Sequence, residues 1–189
     1  MVLVITRTNA HVMSWSLDLS SALCYTIPMS LLAIDPGDVK SAFVVFQPRH
    51  TIVAKGIRSN ERSAQHDSVL ELCRADHSDA LAIEMIKSYG MAVGDTTFLT
   101  CVWIGRFLEA WTQANPGKPY FLIPRKTVAA HICGSVRARD SNVRAALIDI
   151  MGKPGTAACK GATYGIANDM WSAVAIAVTC YDKYLSPLG

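Results

Sequence analysis

The chain has 189 residues, 51% of them apolar, and a formal net charge of +3. That is enough for one well-packed domain, at the usual rate of roughly one per 100 to 200 residues. The balanced charge does not by itself mark a nucleic-acid binder, and no apolar run reaches the roughly 20 residues a membrane-spanning helix needs.

Residues 1–28 read as a leader, poorly ordered or outside the core: they are Ser/Thr-rich, carry only Arg7 and Asp18 as charged side chains, and show no sustained period. They lack the basic start, apolar centre and small-residue cleavage site of a secretory signal, and one arginine is thin support for a transit peptide. The domain is therefore expected to span residues 29–189. Ser30 to Ile34 reads as a first strand, and residues 41–47 and 50–57 as two more across the Pro48-Arg49 turn, an antiparallel meander. A helix is expected from about Glu61 to Arg74, with Val69, Leu70 and Leu72 inward, then a fourth strand over 79–84 and a glycine-punctuated loop over 87–94.

Asp95 or Thr96 can cap a long helix to about Gln113, in which Phe98, Val102, Phe107 and Trp111 form a broad apolar stripe. The stripe is wider than one sheet contact needs, which makes this helix the candidate dimer face. Pro116-Gly117 ends it, and residues 120–123 form a fifth strand. Pro124 opens a short helix closed by Gly134, and a further helix runs from Ser141 to Met151. Residues 152–164 read as a mobile Gly-, Ala- and Lys-rich loop, and a last helix covers 169–184. Three antiparallel strands followed by alternating helices and parallel strands predict an α/β fold, a mixed five-stranded sheet with helices on both faces.

Three carboxylates stand out. Asp35 follows the apolar run LLAI into a Pro-Gly turn, Glu84 closes the run ALAI, and Asp169 opens a helix in which Trp171, Val174, Ala175 and Val178 recur at helical spacing. In the predicted sheet the first and fourth strands are neighbours, so these acids converge. Such a cluster repels itself unless divalent cations meet it, and carboxylates so placed are suited to holding Mg²⁺ against a phosphodiester. Each acid alone has an ordinary reading: Asp35 as a turn residue, Asp169 as a helix cap shared with Asn168. Glu84 at the end of an apolar strand is harder to explain structurally.

The basic side chains Arg125, Lys126, Arg137, Arg139 and Arg144 gather within one stretch opposed only by Asp140, a candidate phosphate-contacting segment. The cysteines at 24, 73, 101, 133, 159 and 180 form no C-x-x-C pair and read as reduced thiols, mostly in the core. His131 reads as structural, and Trp103, Trp111 and Trp171 as core or dimer contacts.

Together, IDPG at 34–37, IE at 83–84, the Arg-rich segment beginning at Pro124 and DMWSAVAIAV at 169–178 resemble the RuvC-like crossover junction endonucleases, especially the bacteriophage-type members, within the ribonuclease H-like superfamily. The resemblance covers Ser30 to Tyr184 and rests on the order and spacing of the motifs. It implies a homodimeric, cytoplasmic nuclease of a bacterial or phage-infected cell that cuts four-way or branched DNA with Mg²⁺ or Mn²⁺, two ions in all. Asp35, Glu84 and Asp169 would be catalytic metal ligands. Arg125, Lys126, Arg137, Arg139, Lys87 and Tyr89 would contact DNA. Two positions depart from the bacterial pattern: Ser172 stands where those members carry a fourth acid, and Lys87 where they carry a wedging aromatic, a role Tyr89 or Met91 could take. Competing readings are a catalytically weak branched-DNA-binding protein and a ribonuclease H-like enzyme cutting RNA in hybrids. A sugar-kinase or actin-type ATPase would need a second phosphate loop and a longer chain.

Overall fold

The computed structural model describes residues 29–61, 68–88, 90 and 92–186. The leader, residues 62–67, and the wedge candidates Tyr89 and Met91 lie outside them. Five strands form one sheet in the order β3-β2-β1-β4-β5: β1 Leu31–Asp35, β2 Lys40–Gln47, β3 Thr51–Ser59, β4 Ala80–Met85 and β5 Tyr120–Pro124. The first three are antiparallel, and β4 and β5 run parallel to β1. This is the expected mixed sheet.

Strand β1 is central and covered on both faces, which is why it reads as an unbroken apolar run. Its side chains alternate between two cores: Leu31 and Ala33 face one, Leu32 and Ile34 the other. Ala80 and Ala82 of β4 join the first, Leu81 and Ile83 the second. The first core is built around α5 (Met170–Cys180), which is buried almost all round, with α3 (Arg125–Cys133) and α4 (Asp140–Met151) beside it. Small side chains on both partners, Ala33, Ala80 and Ala82 against Ala173, Ala175 and Ala177, let helix and sheet approach closely.

The opposite face carries α1 (Val69–Ala75) and α2 (Asp95–Ala114). Helix α1 is capped by Ser68 and begins at Val69; residues 62–67 of the expected helix lie outside the described ones. The Ser68 hydroxyl accepts from the Glu71 amide at 3.1 Å while the Glu71 carboxylate accepts from the Ser68 amide at 3.2 Å. In α2 the cap is Gly94, and Asp95 is the first helical residue instead. Its expected stripe divides: Trp103, Phe107 and Trp111 are buried, while Phe98, Leu99 and Val102 are 59%, 51% and 57% exposed. At about 100° per residue Phe98 and Val102 fall on the side of α2 turned away from Phe107 and Trp111, so they stay outside.

Two further expectations are corrected. Residues 152–164 fold back on themselves, with Gly161 donating to the Pro154 carbonyl at 2.8 Å and the Thr163 hydroxyl to the Gly152 carbonyl at 2.9 Å. A Cβ on Gly161 would lie 1.9 Å from the Lys153 carbonyl oxygen, so the turn requires glycine there. Cys73 and Cys180 are buried thiols, but Cys101 and Cys159 are exposed, because they fall on the outer side of α2 and on this turn. Helix α5 passes into a π-helical turn, Tyr181–Leu185, from which Asp182 reaches His131 at 3.0 Å and His50 at 3.6 Å, the structural role expected for His131.

Candidate active site

The site follows from strand alternation. Asp35 has the parity of Leu31 and Ala33, and Glu84 that of Ala80 and Ala82, so both carboxyls emerge on the α5 face. Register places them side by side, one step beyond the Ile34–Ile83 pair. At the other end of the same strands Ser30 donates to the Asp79 carboxylate, at 2.8 Å from its amide and 3.0 Å from its hydroxyl, which pins that register. Glu84 is not the last residue of its strand as expected, since Met85 continues it opposite Pro124.

Asp169 is the third candidate, at the N-cap of α5, where its carboxylate accepts no capping hydrogen bond. The bland reading of Asp169 as a capping residue is thereby removed. That of Asp35 fails as well, because other groups hold the Pro-Gly turn. The Gly37 backbone amide donates to the Ser41 hydroxyl at 3.2 Å, the Asn60 side-chain amide to the Gly37 carbonyl at 2.9 Å, and the Ser41 hydroxyl to the Asn60 side-chain oxygen at 2.6 Å. Ser41 and Asn60 are buried polar residues that sequence reasoning missed, and what identifies them is pairing across β2 and β3 rather than any local motif.

Burial pushes the Asp35 carboxyl up to about 7, helped by the nearby Glu84 and Asp169 charges and opposed by Arg125 and the Ser172 hydroxyl. Glu84 is also raised by burial, against the pull of Arg125. Its Oε2 is buried without a hydrogen-bond partner, and the Arg125 guanidinium lies 3.6 Å away, an ion pair rather than a hydrogen bond. Arg125 also stands 3.4 Å from the Ser172 hydroxyl and pairs with Asp140. An open pocket of about 330 Å³ adjoins the cluster, bordered by Arg125, Asp140, Ser141, Arg144, Asp169 and Ser172, with Arg144 stacked over Trp171 at 5.2 Å.

Asp35 and Glu84 thus lie side by side with the Asp169 charge nearby, and the buried Glu84 Oε2, which has no hydrogen bond, faces the Arg125 guanidinium. A hard divalent cation suits that donor set. Among the described residues no three His, Cys, Asp or Glu side chains are gathered as a ready-made metal nest, and Arg125 stands among the acids instead. Of the expected DNA contacts, Lys126, Arg137 and Arg139 are exposed on α3 and the turn that follows it, and Lys87 is exposed just after β4. Arg125 turns inward.

No family model and no curated protein matches the sequence. Solved structures do match. RuvC from T. thermophilus in complex with Holliday junction substrate is similar over 80% of this chain and 92% of its own, at 19% identity and a TM-score of 0.59. A second Thermus thermophilus RuvC structure is similar over 82% and 96%, at 18% identity and a TM-score of 0.58. The five-stranded sheet and its helices have the ribonuclease H-like fold of RuvC.

Proposed function

We propose that the chain is a metal-dependent, structure-selective DNA endonuclease that resolves Holliday junctions or related branched DNA by phosphodiester hydrolysis, with residues 29–189 as its nuclease domain. The observation that carries this reading is the adjacency of Asp35 and Glu84 on one side of a RuvC-like sheet, with the Asp169 charge near enough to raise the Asp35 carboxyl. Asp35, Glu84 and Asp169 would hold Mg²⁺ or Mn²⁺, which when bound activates water and neutralises charge on the phosphate.

The chain's own groups do the rest. The Ser41–Asn60 network fixes the Asp35 turn, and α5 presents Asp169 without spending its carboxylate on a cap. Lys126, Arg137, Arg139 and Lys87 would meet backbone phosphates around the acids, and Tyr89 is carried as a DNA contact on the sequence resemblance alone. Junction cleavage needs two such sites, and the exposed Phe98, Leu99 and Val102 flank of α2 is the surface we assign to a homodimer. The bacteriophage-type branch, and with it the cytoplasm of a bacterial or phage-infected cell, is assigned on the sequence resemblance alone.

One observation favours a second reading, a branched-DNA-binding protein with weak turnover: Arg125 already partners Glu84, and Ser172 supplies no charge. A labelled four-way junction, a matched duplex and an RNA–DNA hybrid, each incubated with Mg²⁺, Mn²⁺ or EDTA, separate these. Paired nicks in the junction alone, lost with EDTA and in Asp35→Asn and Glu84→Gln, are expected. Metal-independent cutting, or full activity in both variants, refutes the proposal. Tight junction binding without cuts supports the second reading, and cleavage confined to the hybrid points to RNA as substrate.

A further inference from the structure

We propose that the Arg125 guanidinium stands in for a second divalent ion, so that each site of this chain takes one metal ion instead of two. The inference rests on the nuclease reading and concerns how many ions the three acids accept. Arg125 is the first residue of α3, directly after Pro124 at the end of β5, and β5 lies beside β4 with Pro124 opposite Met85. That placement delivers its side chain to Glu84, 3.6 Å away, and to the Ser172 hydroxyl, 3.4 Å away. Asp140, the first residue of α4, pairs with the same guanidinium and holds it there. The side chain is only 33% exposed, so it is built into the site and not displayed toward bulk water.

Charge supports the substitution. Ser172 lies one helical turn beyond Asp169, on the same side of α5, and is neutral, so α5 offers one carboxylate and not two. An arginine is charged at every accessible pH, and Asp140, the fourth acid, is taken up in its pair with Arg125, leaving Asp35, Glu84 and Asp169 for the ion. A second dication on Glu84 would sit against the guanidinium, like charge against like. Glu84 then uses one side of its carboxylate toward Arg125 and keeps its group available to the single ion with Asp35 and Asp169.

The test counts ions. Metal-free protein is titrated with Mn²⁺, and bound ions per chain are read by calorimetry and by the electron paramagnetic resonance of free Mn²⁺. One ion is expected in the wild type and in Arg125→Lys. A second, weaker ion is expected in Arg125→Ala, tightening at least about tenfold when Ser172→Asp is added. Two ions in the wild type, or still one in a folded Arg125→Ala, overturns the proposal and leaves the nuclease reading standing. No ion in any of these proteins overturns both. Arg125→Lys serves as the folding control, since it keeps the cation.

Discussion

Replacing Asp35 by Asn in the metal-free protein should make it more stable at alkaline pH. The Asp35 carboxyl is pushed to about 7 from an ordinary 3.8, chiefly by burial and then by Glu84 and Asp169. The gap of about three pH units corresponds to about 4 kcal/mol, at ~1.4 kcal/mol per unit. Because the folded state binds the proton more tightly than the unfolded one, this stability is complete below about pH 3.8 and drains away as pH rises to about 7. Asn keeps the shape and removes the charge. It should exceed the wild type by about 2 to 4 kcal/mol at pH 8, the lower figure allowing for water reaching a residue that is not fully buried, and by only about 1 kcal/mol at pH 4.5. For a chain of this size that is roughly 5 to 15 °C in melting temperature at pH 8. Thermal unfolding followed by circular dichroism in EDTA at both pH values measures it. Added Mg²⁺ or Mn²⁺ should then raise the wild type more than the variant. A variant no more stable than the wild type at pH 8, or a gap independent of pH, would refute the electrostatic account.

Changing Arg137 and Arg139 together to Ala should weaken junction binding and lower the slope of log affinity against log salt by about 2, read from titrations at several salt concentrations. An unchanged slope removes both from the DNA interface. Ser68→Ala should cost about 1 kcal/mol through loss of the α1 capping box, visible as a lower denaturant midpoint at constant slope. Val102→Asp, on the exposed flank of α2, should leave the melting temperature nearly unchanged while converting a dimer to a monomer in sedimentation. A wild-type monomer, or a variant that stays dimeric, rules that face out. Trp111→Ala, in contrast, should cost about 3 to 5 kcal/mol, since its indole is fully buried against the sheet.

Much of the architecture was written locally. The runs around Leu31–Asp35 and Ala80–Met85, the turn residues between strands, and the helical spacing after Asp169 specify element type and order through periods of 2 and 3.6, which depend only on neighbours in the chain. Element ends were less accessible. Ser68 and Glu71 form an S-x-x-E capping box that opens α1 at Val69, a local signal that the longer helix reading passed over, and Met85 extends β4 past Glu84 because β5 offers Pro124 as its partner. The exposed side of α2 is as apolar as its buried side, so composition did not separate them, although helical spacing sets Phe98 and Val102 opposite Phe107 and Trp111.

At the site the division is sharper. The sequence by itself determined that three carboxylates stand at or near strand and helix ends, while the parallel pairing of β1 with β4 sets two of them on the same face of the sheet. Tertiary structure alone decided what surrounds them. The Ser41–Asn60 support is assembled from β2 and the end of β3, and Arg125 reaches Glu84 and Ser172 from 41 and 47 positions away in the chain. Side chains so distant have no periodic relation to one another. Their meeting, and the charge balance it sets around Asp35, exists only once β5 has paired with β4 and α5 has packed across the sheet.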